Sequence, residues 1–143
     1  MNKSKVAVLR TSPATVLDDY QRLCELAGMD EALDSSRTTI LKDNISWHLL
    51  YPAANTTPWQ LEGTILALRK MGFSDIVDVH NKTVVTVADQ GTRFNKLGPV
   101  LKKHRIPEKY NFKPGDMKWV KLDTKIQFLV LDRIYPGGVF IPD

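Results

Sequence analysis

The segment from residue 37 to residue 79 constrains the fold most, because it reads as strand, helix and strand in succession. Residues 37–41 and 76–79 are short runs rich in apolar and β-branched side chains, which is typical of buried strands. Between them, apolar residues recur at helical spacing: Leu61, Ile65, Leu68 and Met71. This order of elements favours a parallel βαβ unit.

The start and the end of the central helix carry their own signals. Thr57 precedes Pro58, and Gln60 follows the threonine by three residues, which is the form of a capping box. Gly72 can end the helix in the left-handed conformation. We therefore expect a helix from Pro58 to about Met71.

The remaining elements follow from the same periodicities. A first helix is predicted from Ser12 and Pro13 to a Gly28 cap, with one stripe formed by Val16, Tyr20, Leu23 and Ala27. A short helical turn is predicted around residues 30–33. Further strands are predicted at 6–9, 118–122 and 126–131, an extended arm or short strand at 83–88, and a third helix at 93–104. The sequence thus predicts a three-layer-like α/β fold with a mainly parallel sheet, as one domain over residues 1–143.

Composition excludes several classes of protein. The 143 residues are 43% hydrophobic, enough for one buried core, yet no apolar run approaches the ~20 residues of a membrane-spanning helix. The apolar run at residues 6–9 is too short for a signal peptide, so we expect a cytoplasmic protein. Cys24 is the only cysteine, so this chain alone builds no disulfide, zinc finger or cysteine-ligated cluster. We expect Cys24 to be a buried apolar residue of the first helix.

Polar residues follow the strand at 37–41 and form the first candidate site. In parallel sheets, ligands bind outside the carboxyl ends of strands, and a helix N-terminus there favours an anion. Lys42 would supply a positive charge, Asn44, Thr56 and Thr57 would supply hydrogen bonds, and amides near Trp59 would complete the cradle. In the competing interpretation, Thr57 only caps its helix, Asn44 only shapes a turn and Lys42 is solvated. No glycine-rich phosphate fingerprint is present.

Asp78 and His80 form a second candidate pair, because alternate residues of a strand share one face. A carboxylate beside an imidazole can orient a general base or contribute two metal ligands, so these two residues are the candidate catalytic residues. The alternative is a polar strand end that reaches solvent. No further ligand pair is recognisable by spacing, so no metal site is expected. His48 and His104 are expected to be surface or packing residues.

Residues 93–125 form a basic block that contains ten Lys and Arg against three Asp and Glu. Phe94, Tyr110, Phe112 and Trp119 lie among these charges, a mixture that can bind single-stranded nucleic acid. No recognised nucleic-acid motif accompanies them, so a basic helix face with core aromatics is the preferred interpretation.

Several segments together resemble one protein family: KVAVLRTSP, ILKDN, NTTPW through MGFSDIVDVHN, and LVLDRIYPGGVFIPD. They are similar to the N-terminal portion of domain of unknown function family 362. Its members typically carry a strand, a lysine-proline-asparagine-like loop, and a helix followed by a glycine and a strand. Asp43 stands where the family often has proline or valine. The resemblance spans most of the chain and implies an α/β fold.

The resemblance also implies a larger context. Family members are usually longer, with a lysine-threonine-histidine stretch and a glycine- and asparagine-rich segment that this sequence lacks, and some are joined to ferredoxin-like modules. With the apolar ending RIYPGGVFIPD, this leads us to expect either a strand that docks or an incomplete domain. The implied partners are a separate C-terminal half or a redox partner. No cofactor is expected in this chain, and an iron–sulfur cluster only if a missing region or partner supplies it.

The sequence therefore predicts an α/β protein that binds a small anionic ligand at strand ends, in a redox-associated context. Two alternatives stay open: a module that binds nucleic acid or an acidic partner through residues 93–125, and a truncated remnant without independent activity. No residue pattern identifies a reaction, and no membrane association is expected.

Overall fold

The computed structural model describes residues 5–123 and 129–142. Its helices are α1 Val16–Ala27, α2 Met29–Ala32, α3 Pro58–Lys70, α4 Ala88–Phe94, α5 Leu97–His104 and α6 Leu131–Ile134. Its strands are β1 Thr39–Leu41, β2 Ile76–His80, β3 Glu108–Tyr110, β4 Trp119–Lys121 and β5 Phe140–Pro142. The mixed α/β class predicted from the sequence is confirmed.

The main sheet is parallel and has the order β1-β2-β3, so consecutive strands are neighbours. Helix α3 connects β1 to β2, and helices α4 and α5 connect β2 to β3. Each parallel pair needs such a crossover, because a tight turn can join only antiparallel strands. The predicted βαβ unit of residues 37–79 is confirmed.

The register decides which side chains share a face. Leu41, Asp78 and Glu108 lie level across the three strands, and His80 pairs with Tyr110 one pleat further on. Ile76, on the same face of β2, packs in the hydrophobic core with residues of α3 and α5 that include Ile65 and Leu97. The helices therefore cover the face that carries Asp78 and His80.

Helix α1 packs against α3, and Gly63 permits their close approach. A Cβ atom added to Gly63 would lie 2.6 Å from Cβ of Tyr20, closer than side chains pack. Gly28 ends α1 with φ 74°, as predicted, but the predicted start at Ser12 and Pro13 is wrong, because the helix begins at Val16. Cys24 is buried, also as predicted.

Helix α3 begins at Pro58 as expected and buries the predicted residues Leu61, Ile65 and Leu68, whereas Met71 is half-buried. The capping box predicted from Thr57 and Gln60 does not form. Thr57 makes no side-chain cap hydrogen bond, although its carbonyl oxygen accepts from the amide of Leu61 at 3.0 Å. Thr57 therefore caps α3 through its backbone alone.

Some predicted elements are wrong. Residues 6–9 form no strand, and the side chains of Val6 and Val8 are 81% and 86% exposed, so the apolar run is not sheet core. The predicted helix at 93–104 is two helices, because Lys96 takes a left-handed backbone with φ 62°. Of the two alternatives for residues 83–88, the strand is wrong, because residues 83–87 belong to no strand and Ala88 already begins α4.

The C-terminal strands form a separate two-stranded antiparallel sheet, β4 with β5, so the strand predicted at 118–122 is confirmed at its centre. The strand predicted at 126–131 lies partly outside the described residues, and its last residue, Leu131, begins α6. Among the described helices, none has the length and apolarity that crossing a membrane requires.

Candidate functional site

The register of the three parallel strands brings ionisable side chains together. Asp43 follows β1, Asp78 and His80 lie at the middle and the end of β2, and Glu108 begins β3. Because Asp78 and Glu108 are register partners, their side chains project from the same face at one level of the sheet. We call Asp78, His80 and Glu108 the strand-end cluster.

Nε2 of His80 is the centre of the cluster. It lies 2.7 Å from Oδ2 of Asp78, 3.7 Å from Oε1 of Glu108 and 3.5 Å from Oγ1 of Thr92. The contact with Asp78 has ion-pair distance without the alignment of a regular hydrogen bond. On the outer side, the hydroxyl of Tyr110 donates to Glu108 Oε1 at 3.2 Å. Three side chains thus surround one buried imidazole nitrogen, and Tyr110 contacts the more distant of the two carboxylates.

Two acidic side chains of this region, Asp78 and Asp43, are buried although some of their oxygens accept no hydrogen bond. Asp78 is 0% exposed and Asp43 is 4% exposed. Neither oxygen of Asp78, and not Oδ2 of Asp43, has a hydrogen-bond partner among the described residues. Buried carboxylate oxygens of this kind are costly, so their retention at one place needs a reason.

Contacts within the cluster shift the pKa values of His80 and Glu108. Burial by itself lowers the pKa of His80, but the contacts with Asp78 and Glu108 outweigh it and raise the pKa to about 9. The same contact with His80 lowers the pKa of Glu108, against a smaller opposing effect of burial. At neutral pH, His80 is therefore an imidazolium paired with carboxylates.

Asp43 behaves in the opposite way. Burial, followed by the charge of Asp78, raises the pKa of Asp43 to about 7, while His80 and Lys42 partly oppose the shift. A substantial fraction of Asp43 is therefore protonated at neutral pH. In the sequence, Asp43 stands out only as a departure from a family pattern and not as a site residue.

A small cleft of about 130 Å³ opens where β1 ends and α3 begins. Lys42 and Thr56, both predicted ligand-binding residues, line this cleft together with Asp43 and Gln60. We call it the Lys42 cleft. Leu41, Leu61 and Thr64 complete its walls.

The other two predicted ligand-binding residues have structural contacts. The Asn44 amide donates to Oγ1 of Thr56 at 2.9 Å, and the Thr56 amide donates back to the Asn44 carbonyl at 2.8 Å. The side chain of Asn44 donates to the carbonyl of Ala54 at 2.6 Å, so it closes the loop. Thr57 is buried at the start of α3. Neither Asn44 nor Thr57 lines the Lys42 cleft.

Two buried asparagines hold the 42–57 loop to α4. The side chain of Asn55 donates to Oδ1 of Asn95 at 2.8 Å and accepts from the amide of Ser46 at 2.8 Å. Asn95 in turn donates to the carbonyl of Gly91 at 2.9 Å. The loop therefore has a defined conformation through its own polar contacts.

A second, wider cleft of about 490 Å³ adjoins the cluster on the β3 side. Glu108, Tyr110 and Thr92 form one wall, and Arg93 and Lys96 contribute positive charge. We call it the β3 cleft. It provides access from solvent to the one cluster member that is not deeply buried, since the Glu108 side chain is 31% exposed.

The other candidates from the sequence have separate locations. His104 contacts Glu62 at 2.8 Å on the surface of α5, as a packing residue would. His48 is half-buried in the loop. In the basic block, Tyr110 is buried, whereas Phe112 and Trp119 are exposed, so the aromatic residues divide between core and surface.

Sequence reasoning found Asp78 and His80 but missed Asp43, Glu108 and Tyr110. Period-two alternation identifies residues that share a face of one strand, whereas Glu108 joins them only through the register of β2 with β3. Residues 108–110 also lie in a turn-rich, basic stretch with no strand signal. A third strand after the second helical crossover was the signal that could have found them.

Comparison of the chain with models of protein families, with curated proteins and with solved structures found no match.

Proposed function

We propose that this chain binds a small anionic group, a phosphate or a carboxylate, in the Lys42 cleft at the carboxyl end of β1. The observation that carries the proposal is the lining of that cleft, which brings Lys42 and Thr56 together with Gln60. These side chains are separated by up to eighteen positions in the sequence, and the turn from β1 into α3 brings them to one place.

The hydrogen-bonding state of each group supports an anion. Lys42 donates one of its three N–H bonds to the Asp43 carbonyl at 2.6 Å. Oγ1 of Thr56 accepts from Asn44, which leaves its own O–H to donate. Thr64 donates to the Gln60 carbonyl at 2.8 Å, so its hydroxyl lines the cleft but is not free to donate to a ligand. The remaining donors suit an acceptor-only ligand.

Size restricts the ligand. Pockets for drug-sized molecules usually have about 300–1,000 Å³, so a cleft of about 130 Å³ suits a single phosphate or carboxylate group. A larger ligand would place only its anionic end there. Asp43 does not prevent this, because the protonated form of its carboxyl can donate a hydrogen bond to the anion.

We also propose that the chain is related to domain of unknown function family 362, whose lysine-containing loop would then correspond to residues 40–44. With this family relation we propose a redox-associated context and a three-layer arrangement. The partner would be a separate C-terminal half or a redox partner. An iron–sulfur cluster would come from such a partner.

The test is anion binding by the Lys42→Ala variant. We expect inorganic phosphate to bind the unmodified chain saturably and the variant at least about ten-fold more weakly, because a charge-assisted hydrogen bond is lost. Isothermal titration calorimetry at low ionic strength measures both affinities.

Lys102→Ala is the matched control, because Lys102 is an exposed lysine of α5 outside the cleft. Its phosphate affinity should equal that of the unmodified chain. Equal weakening by both substitutions would show nonspecific attraction to the basic surface and would contradict the proposal.

A further inference from the structure

The strand-end cluster has the composition and the spacing of a metal-ligand set. Asp78, His80 and Glu108 each offer one ligand atom, and these atoms all lie within 4.8 Å of one another. With metal–ligand bonds of about 2.1 Å, two ligand atoms at tetrahedral or cis-octahedral angles lie about 3.0–3.4 Å apart. The distances of 2.7 Å and 3.7 Å from His80 Nε2 fall on either side of this range.

A second observation is the burial of carboxylate oxygens without hydrogen bonds. Oδ1 of Asp78 has no partner among the described residues, although the residue is 0% exposed. Its side chain projects from the same face and level as that of Glu108, hence into the cluster. A cation would satisfy this oxygen together with the paired one.

We propose that Asp78, His80 and Glu108 bind one divalent first-row transition-metal ion, which displaces the proton from Nε2 of His80, with zinc, iron(II) or manganese as the suitable class. One imidazole with two carboxylates is a mixed nitrogen and oxygen donor set, which suits these ions better than calcium or magnesium. No thiolate takes part, because Cys24 lies on α1 and not in the cluster.

The ion would retain an open coordination position. Three protein ligands leave at least one position of a tetrahedral ion for water or for a ligand atom. Glu108 and Thr92 line the β3 cleft, which gives that position a route to solvent. Arg93 and Lys96 in the same cleft would attract an anionic ligand to the ion.

This site differs from the Lys42 cleft in all of its residues. If the unmodified chain bound no phosphate, the metal proposal would therefore still stand. Conversely, loss of metal binding would leave the anion proposal unaffected.

The experiment uses the full chain without a histidine tag, stripped with a chelator. Cobalt(II), zinc and manganese(II) are titrated separately, by visible absorption for cobalt and by calorimetry for the other two. We expect 1:1 binding and a metal-dependent rise in the melting temperature, since the folded state alone presents the three ligands together.

Three variants assign the site. Glu108→Gln and His80→Gln should each weaken binding at least about ten-fold, and cobalt spectra should change in each. His104→Gln is the matched control, because His104 also contacts a carboxylate, Glu62, but lies outside the cluster. Glu108 is half-exposed, so its variant tests the site even if the His80 variant does not fold.

The proposal is overturned by the absence of saturable binding of all three ions up to about 1 mM. It is also overturned if the Glu108→Gln variant binds as tightly as the unmodified chain, or if only His104→Gln weakens binding.

Discussion

The charge of Asp43 depends on how deeply its carboxyl group is buried. Asp43 is 4% exposed, and its carboxyl group is influenced by the charges of Lys42 and of the strand-end cluster. Burial and the charge of Asp78 raise its pKa to about 7, from 3.8 in an exposed aspartate. The folded protein therefore binds a proton over a range where the unfolded chain does not.

This difference predicts how stability depends on pH. Between pH 4 and pH 7 the folded state holds the Asp43 proton and the unfolded state has lost it, so raising the pH lowers the free energy of unfolding. Asp43→Asn keeps a neutral side chain at all pH values. We expect this variant to be more stable than the unmodified chain at pH 8, by about 2–4 kcal/mol, and about equally stable at pH 4. Denaturant unfolding at both pH values measures the difference.

The comparison reports Asp43 together with its effect on His80, because the charge of Asp43 is one of the contacts that raise the pKa of His80. Asp43→Ala is a further control that removes the charge together with the polar group. The prediction is contradicted if Asp43→Asn is less stable than the unmodified chain at pH 8 but not at pH 4. That result would show that ionised Asp43 stabilises the fold.

Individual site residues were predictable to different extents. Lys42 and Thr56 were found from their position after a strand and before a helix, and both line the Lys42 cleft. Asp78 and His80 were found from alternation alone. Asn55 and Asn95 carried no sequence signal, because their mutual hydrogen bond depends on how the loop folds onto α4.

The close packing of helices α1 and α3 depends on a glycine, Gly63, at their contact. Gly63 lies within α3, where glycine costs about 1 kcal/mol relative to alanine in helix propensity. The contact with Tyr20 explains why glycine is nevertheless suited to this position, since a Cβ atom would lie 2.6 Å from Cβ of Tyr20.

Gly63→Ala should therefore lower the melting temperature in spite of its better helix propensity. Overpacking typically costs about 1–3 kcal/mol, which exceeds the propensity gain of about 1 kcal/mol over most of that range. Thermal unfolding followed by circular dichroism measures the change.

Gly98→Ala is the control helical glycine. Its added Cβ would lie 3.7 Å from Cγ2 of Thr92, an ordinary packing distance. We expect its melting temperature to stay equal or to rise. A Gly63→Ala variant that is as stable as Gly98→Ala would mean that α1 does not pack on α3 as described.

Elements with strong local signals were predicted well. Helix α3 has a proline at its first position and an apolar stripe, and its start was found at the correct residue. The run at residues 6–9 misled, because apolar composition does not say whether a neighbouring strand is available to pair with it. The interruption at Lys96 was missed, because the apolar spacing of Phe94, Leu97 and Leu101 continues across it.

Across the whole molecule, polar groups from β1, β2 and β3 and from the loop after β1 gather at one edge of the parallel sheet. The α/β class followed from the order of strand-like and helical segments. The convergence of β1, β2 and β3 at one edge required the strand order and register, which local patterns do not specify. The central claim is that this edge is a ligand-binding edge.

The most direct test is a phosphate titration of the ¹⁵N-labelled full chain, followed by amide chemical shifts. The account predicts saturable shifts concentrated at Lys42, Asp43, Thr56 and Gln60, with little change along the basic block of residues 93–125. Shifts spread over the exposed lysines of that block, without saturation at the 42–60 segment, would contradict the claim.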